Sequence, residues 1–394
     1  MNMRKRKVLV MSPVYQGFGG AEFMVMNLAE HYMNSGVDVK VVIEDSGHLK
    51  PLKVRCSECG ISIRFAKLGD GIQKGIRRVV SLFWQTLVTV WVFIQEKPDA
   101  VHIILPGHPQ GLHMLLACKL TGTPANINFV LVAEEDKHLV SERKARIYRW
   151  IKKPRQIWTA LSKNNARILE EAFRLKEGDV RVVHNGYMLN HDMKEADKPI
   201  REELGISHNT KILITTGRLA KQKGHRFIID IMPKLVKEFP DVLFLWVGEG
   251  QDKDELVEKL KAEDVQKYVK FTGFRSDILD LLNASDLFVF PTEFEGGAPF
   301  SLHEAIIVGC PVIASDASGI PEIMQHEKHG LLFRKGDSED LYCNLRFALL
   351  NMNRMKKYAE TAQKEIPEKF SSEVMYGKYD SILNELMNKK ESHE

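Results

Sequence analysis

Apolar and polar positions along this chain fall into two alternating patterns. Short apolar runs predict buried parallel strands: "KVLVM" (Lys7–Met11), "VDVKVVI" (Val37–Ile43), "AVHIIL" (Ala100–Leu105) and "ANINFVLV" (Ala125–Val132). Between them, "AEFMVMNLAEHYMNS", stopped by Gly36, and "GLHMLLACKLTG" carry helical spacing. A polar stretch, "HNGYMLNHDMKEADKPI" (His184–Ile200), interrupts this order and reads as a linker. The pattern then restarts with the strand "KILITTG", the helix "HRFIIDIMPKLVKEF" and the strand "VLFLWVG". "YVKFTG", "DLFVFPT", "PVIAS" and "GLLF" follow as further strands. Strands alternating with helices predict two doubly wound α/β domains facing each other. In such sheets ligands sit outside the carboxyl ends of the strands. No internal repeat and no low-complexity tract interrupts the scheme.

One run, "VVSLFWQTLVTVWVFI" (Val79–Ile94), tests the scheme. It is shorter than the ~20 apolar residues of a membrane span. Ser81, Gln85, Thr86 and Thr89 interrupt it, and Glu96, Lys97 and Pro98 follow it. It is therefore expected to be a buried core helix, with Arg77 and Arg78 leaving room for a peripheral membrane contact.

Composition adds a class. The chain has 394 residues, 44% hydrophobic and 27% charged, enough for two domains of ordinary size. Five cysteines, with no stretch that reads as a secretory leader, make the cytoplasm the expected compartment. Cys56 and Cys59 form a lone CxxC with no second pair to complete a zinc site. Charge is uneven: residues 1–190 hold 28 Lys+Arg against 17 Asp+Glu, a net of +11, and the remainder carries −7. The densest cluster is "RKARIYRWIKKPR" (Arg143–Arg155). It can be a solvated helix face or a surface for anionic lipid. Nucleic acid is not expected, because no basic-aromatic module accompanies the cluster.

Four loops carry candidate chemistry. "YQGFGGAE" (Tyr15–Glu22) is glycine-rich before a helix, where free N–H groups favour an anion, but it lacks the third glycine of a dinucleotide fingerprint. "TGRLAKQKGH" (Thr216–His225) places Arg218 and Lys223 between a strand end and a helix, suited to clamping phosphate. "VGEGQDKDEL" brackets Glu249 with Gly248 and Gly250. Its Asp252 and Asp254 read as helix-start acids rather than a metal site. "EFEGGAPFSLHEA" (Glu293–Ala305) puts Glu295 before and Glu304 inside a helix whose first turn suits Pro299. A carboxylate at Glu304 could accept two sugar hydroxyls from a ligand held at that helix start.

As a set, "GGAE", "GRLAKQKG", "VGEG" and the block from "FTGF" through "FPTEFEGGAPFSLHEA" to "GLLF" resemble glycosyltransferase family 4, the retaining enzymes of the GT-B fold. The resemblance covers nearly the whole chain. It implies two Rossmann-like domains facing each other across a cleft. An acceptor-binding domain at 1–187 would be joined by the C-terminal helix at about 372–394, and a nucleotide-sugar domain would occupy 188–371. It implies that Arg218 and Lys223 bind the donor diphosphate, Glu304 the ribose hydroxyls, and Glu295 the donor sugar. Gly248, Gly296 and Gly297 would approach the donor from the second domain, and Gly19 and Gly20 from the first. It further implies that no metal or cofactor is needed, and UDP is expected over GDP. The expected partners are a nucleotide-sugar donor, a sugar or lipid-linked acceptor, and an anionic membrane at the inner face.

Departures from the family pattern are local. Eight residues rather than seven separate Glu295 from Glu304. Ile104 stands where the family often has the second histidine of H-x-H. Val130 replaces a histidine near the reacting carbon, leaving His108 in "PGHPQG" as the nearest candidate for that catalytic role. An epimerase or hydrolase on the same fold, and a non-catalytic donor-binding protein, remain the alternative readings.

Overall fold

A computed structural model describes residues 5–391 except 14–19, 70–75, 106–110, 133, 135–139, 153–154, 187–198 and 298. The chain divides into two compact units, Met1–His184 with Glu373–Glu394, and Asn185–Ser372. The expected domain boundary at 187/188, like Gly19 and His108, lies outside the described residues.

In the first unit the described strands are β1 (Lys7–Met11), β2 (Asp38–Ile43), β3 (Ser62–Phe65), β4 (Ala100–Leu105), β5 (Ala125–Phe129), β6 (Gln156–Ala160) and β7 (Val180–Val182). They pair in parallel in the order β3-β2-β1-β4-β5-β6-β7. The helices are α1 (Gly20–Asn34), α2 (Lys50–Glu58), α3 (Ile76–Glu96), α4 (Leu112–Thr121), α5 (Glu142–Lys152) and α6 (Lys163–Phe173). Both faces of the sheet are covered. Val8 and Val10 of β1 pack with α1 and α2, while Leu9 and Met11 share a core with α3, α4, α5 and α6. That explains why β1 reads as an unbroken apolar run instead of alternating.

In the second unit β8 (Lys211–Thr216), β9 (Val242–Val247), β10 (Val269–Gly273), β11 (Leu287–Phe290), β12 (Val312–Ser315) and β13 (Leu331–Phe333) form a parallel sheet ordered β10-β9-β8-β11-β12-β13. Helices α7 (Ile200–Glu203), α8 (His225–Glu238), α9 (Lys253–Ala262), α10 (Ile278–Asn283), α11 (Phe300–Ile307), α12 (Ile320–Ile323), α13 (Ser338–Leu350) and α14 (Met352–Lys369) follow in chain order. Residues of α8 and α13 join the core on one face, and residues of α10, α11 and α14 join the core on the other. Both sheets have the doubly wound 3-2-1-4-5-6 strand order, which reverses between the first and fourth strands.

The last helix, α15 (Ser372–Glu391), returns to the first unit. Met375, Tyr379, Ile382, Leu383 and Leu386 form its apolar stripe against the α1 side of the sheet. Polar contacts fix its position: Asn128 Nδ2 donates to Tyr379 Oη at 2.9 Å, and the Tyr379 ring meets His102 edge-on at 4.8 Å. Burial lowers the His102 imidazole to about 3, so it stays neutral beside its partner Tyr32 Oη at 3.0 Å.

The run at Val79–Ile94 is helical, but it is not a buried core helix. Thr86, Thr89, Val92, Phe93 and Glu96 of α3 are buried, while Val79, Val80, Phe83, Trp84, Leu87, Trp91 and Ile94 are exposed. A helix apolar all round has the same sequence signature whether it meets protein on one side or on every side. Its inner face is held at the C-terminal end by Glu96, which receives Lys7 at 2.7 Å, Lys40 at 2.8 Å and Arg64 at 2.6 Å. Burial works to raise that carboxyl, but the three cations outweigh it and hold it at about 2.

Candidate functional site

The second sheet's switch point lies between β8 and β11, and the loops leaving those strands diverge there. After β8, a short 3₁₀ turn (Lys221–Lys223) runs into Gly224, which is also the N-cap of α8. Gly224 has φ +69°, and a Cβ there would lie 1.8 Å from Pro291 O. Only glycine lets this loop lie against the loop after β11. Backbone and side chain then join the two loops: Glu293 N donates to Gln222 O at 2.8 Å, and Gln222 Nε2 donates to Phe294 O at 2.8 Å.

This contact brings two of the expected residues together. Lys223 Nζ lies 2.5 Å from Glu295 Oε1 and 5.0 Å from the centre of the Phe290 ring. Thr292 Oγ1 donates to the same Oε1 at 2.7 Å, and Glu295 N donates to Ser318 Oγ at 2.9 Å. Glu295 is buried, so a charged pair here demands such additional partners. Ser318 adopts φ +52°, an uncommon backbone for a non-glycine residue, in the turn after β12. Arg226 reaches Glu293 at 2.9 Å beside the pair.

The remaining expected residues surround this pair in the chain. Arg218 leaves the end of β8 with its side chain exposed and without an ion pair among the described residues. Gly248 follows β9 at φ +138°, where a Cβ would fall 2.0 Å from Gly217 O, so the β9 loop supports the Arg218 loop. Gly296 and Gly297 form the bend before α11. Pro299 is the N-cap of α11 rather than a residue of its first turn, with φ −66° and ψ 139°, and no side chain caps that helix. No side chain caps α8 either. Two helix N-termini with their partial positive charge thus follow the loops that carry Lys223 and Glu295.

Glu304 lies in α11, half-buried, and its side chain has no hydrogen bond or ion pair among the described residues. Desolvation raises its carboxyl to about 7. His225, the first residue of α8, is buried against Trp246, with ring centres 4.8 Å apart. Burial, then the charge of Lys223, lowers its imidazole to about 3. Asp252 and Asp254 occupy the N-cap and first turn of α9. Gly20 opens α1 in the first unit and is exposed, and Val130 follows β5 with its N–H on Leu105 O at 2.9 Å. A surface depression of about 700 Å³ beside Leu204, Val242 and Val269 lies at the amino ends of β9 and β10, the wrong end of the strands for this chemistry.

Sequence reading missed Gln222, Thr292, Ser318 and His225. The dipeptide Pro291-Thr292 at a strand end marks a turn. Nothing in the sequence shows that its hydroxyl reaches Glu295, because that contact depends on the fold of two loops far apart in the chain.

Two family models divide the chain between them: "Glycosyltransferase Family 4" matches residues 18–191, and "Glycosyl transferases group 1" matches residues 196–365. The chain belongs to the family 4, group 1 glycosyltransferases. Among its relatives is N-acetyl-alpha-D-glucosaminyl L-malate synthase of Bacillus anthracis, 28% identical over 53% of this chain and 54% of the relative. Another is the UDP-Gal:alpha-D-GlcNAc-diphosphoundecaprenol alpha-1,3-galactosyltransferase of Escherichia coli, 25% identical over 64% of this chain and 67% of the relative. The chain therefore spans about half the length of the first of these relatives. Anabaena Alr3699/HepE, solved with UDP and glucose, superposes with a TM-score of 0.77 at 20% identity, covering 96% of this chain and all of the other. A glycosyltransferase from Rickettsia africae gives a TM-score of 0.81 at 18% identity, covering 98% and 99%. At such identities the shared property is the fold, the two Rossmann-like α/β domains of the GT-B class.

Proposed function

We propose that this glycosyltransferase moves a hexosyl group from a nucleotide diphosphate sugar to a hydroxyl acceptor with retention at the anomeric carbon, using UDP rather than GDP. The observation that carries this reading is the switch point of the second sheet. There Lys223, Arg218 and two helix N-termini without side-chain caps surround loops that also lead to Glu304, a carboxyl without a partner among the described residues.

The chemistry asks for fixed positive charge. As the sugar–phosphate bond breaks, negative charge develops on the diphosphate, and preorganised cations lower that barrier directly. Lys223 is anchored by Glu295 through one of its three N–H bonds, which leaves two to donate to phosphate. Glu295, on the loop after β11, faces the donor sugar. Glu304, once ionised, accepts both ribose hydroxyls. The departing phosphate oxygen takes the acceptor proton, so no protein nucleophile and no metal is required.

The acceptor is lipid-linked and presented at the anionic cytoplasmic face of a membrane, in polysaccharide or glycolipid assembly. The named activity of the E. coli relative on a diphosphoundecaprenol substrate supports this, as does the exposed cationic side of α5. Arg143, Lys144 and Arg146 project to solvent there, whereas Arg149, Lys152 and Arg155 are tied to Glu142, Asp179 and Gly122 O.

The test is a panel of nucleotide sugars, read first as ligand-dependent shifts in melting temperature and then as release of nucleotide. A UDP-sugar should stabilise the protein, and UDP release should require a sugar-diphospholipid acceptor and persist in excess EDTA. Release of free sugar or of an epimer without acceptor would replace transfer by hydrolysis or epimerisation, and loss of activity in EDTA would refute the metal-free mechanism.

A further inference from the structure

The exposed side of α3 is an apolar surface on the first unit that the donor chemistry leaves unused. Val80, Phe83, Trp84, Leu87, Trp91 and Ile94 recur at helical spacing on that side, with Trp84 65% and Trp91 56% exposed. No acidic residue occurs between Arg77 and Gln95, and Arg77 and Arg78 are exposed at the helix start. Arg64 lies over the Trp91 ring at 4.6 Å. Continuous apolar patches of this kind are uncommon on a soluble surface without a partner.

By length and composition alone α3 could cross a bilayer, yet only 28% of its apolar stretch is buried in the protein. Its inner side excludes a crossing. Val92 and Phe93 are core residues shared with the sheet and α4, and Glu96 is bound to cations of three strands. The buried hydroxyls of Thr86 and Thr89 are satisfied by Leu82 O and Gln85 O within the helix. Withdrawing α3 from the domain would expose this core and leave Lys7, Lys40 and Arg64 facing one another.

We infer that α3 lies flat in the headgroup region of an anionic bilayer and inserts its Phe83–Trp84–Trp91 side, with the cations of α5 binding lipid phosphates beside it. Charge and continuity select a lipid surface. α4 packs against both α3 and α5. Lys119 of α4 lies 5.2 Å from the centre of the exposed Trp150 ring of α5, and Leu120 and Ile147 are also exposed. The layer α3-α4-α5 therefore mixes apolar and aromatic groups with the exposed cations Arg77, Arg78, Arg143, Lys144 and Arg146 and few acids, the composition of an interfacial helix surface. This deepens the reading of a membrane-presented acceptor and rests on it for the choice of an anionic lipid.

The experiment measures co-sedimentation of the full chain with vesicles of phosphatidylcholine alone and of phosphatidylcholine containing one quarter phosphatidylglycerol, at low and high salt. Phe83→Ser/Trp84→Ser and Arg143→Glu/Lys144→Glu/Arg146→Glu variants are compared with wild type. UDP binding and melting temperature serve as fold controls, since all five side chains are exposed. Wild type should keep part of its binding at high salt, because insertion is not screened. The Phe83/Trp84 variant should lose about tenfold or more in partitioning, from two large apolar side chains that no longer leave water. Wild-type binding by that variant would overturn the inference, as would a wild-type dimer that the variant converts to monomer without change in sedimentation. Loss in the α5 variant alone would retain the anionic-membrane reading and remove α3 from it. Loss in the α3 variant alone, insensitive to lipid charge, would do the reverse.

Discussion

Glu304 is the side chain whose chemistry is most exposed to test. Its carboxyl, raised to about 7 from an ordinary 4.5, favours the neutral form in the ligand-free protein. A raised carboxyl binds its proton more tightly folded than unfolded. Its contribution to stability is therefore fully present below pH 4.5 and is lost as pH rises through about 7. Replacing it by an uncharged isostere removes that loss. Glu304→Gln should raise the melting temperature at pH 8 and leave it unchanged at pH 4.5, a gain of about 1–3 kcal/mol at the higher pH after discounting for solvent. The same variant should bind UDP about tenfold or more weakly at pH 8, because an amide accepts fewer hydroxyl bonds than a carboxylate. Calorimetric titration and thermal unfolding across pH check both halves. A variant that is less stable at pH 8 would remove desolvation as the cause, and one that binds UDP like wild type would remove Glu304 from ribose recognition. Lys223 and Glu295 illustrate the opposite case, a buried pair that each residue's sequence neighbourhood suggests but whose contact no spacing predicts. Residue types were legible there. Their pairing required two loops about 70 positions apart in the chain to meet.

Elements were legible where periodicity and punctuation agreed. The strands β1, β8 and β9 and the helices α1 and α8 stand at the positions their apolar patterns predict, and Gly309 at φ +73° follows the end of α11. The exposed side of α3 was not legible. Its residues are apolar in every direction, and only the position of the sheet decides which of them meet protein. The loop after β8 lies against the loop after β11 for a reason the sequence only hints at, the close approach of Gly224 to Pro291 O. Gly224→Ala should force the two switch-point loops apart, through a steric clash and a left-handed backbone, at a cost of about 1–3 kcal/mol in stability. It should also weaken diphosphate binding, because Lys223 directly precedes it. Denaturant unfolding together with pyrophosphate titration checks this. Stability and affinity both at wild-type values would mean that the loop contact is not what positions Lys223.

At the scale of the whole molecule, the double βαβ order foretold two doubly wound sheets, and the observed strand orders supply the switch point where Lys223 and Glu295 meet. The return of α15 to the first unit brings Tyr379 onto Asn128 and against the His102 ring, two positions that look in sequence like misplaced polar residues in apolar strands. The donor roles proposed for Arg218, Lys223 and Glu304 rest on the family resemblance more than on pattern. The central claim is that the loop after β8 clamps a nucleoside diphosphate. Calorimetric titration of UDP into wild type and Arg218→Ala tests it most directly, since Arg218 is exposed and has no ion pair among the described residues, so its removal should not disturb folding. UDP affinity should fall about tenfold or more with the melting temperature unchanged, in keeping with the loss of one charged phosphate contact. Equal UDP affinity for the two proteins would contradict it.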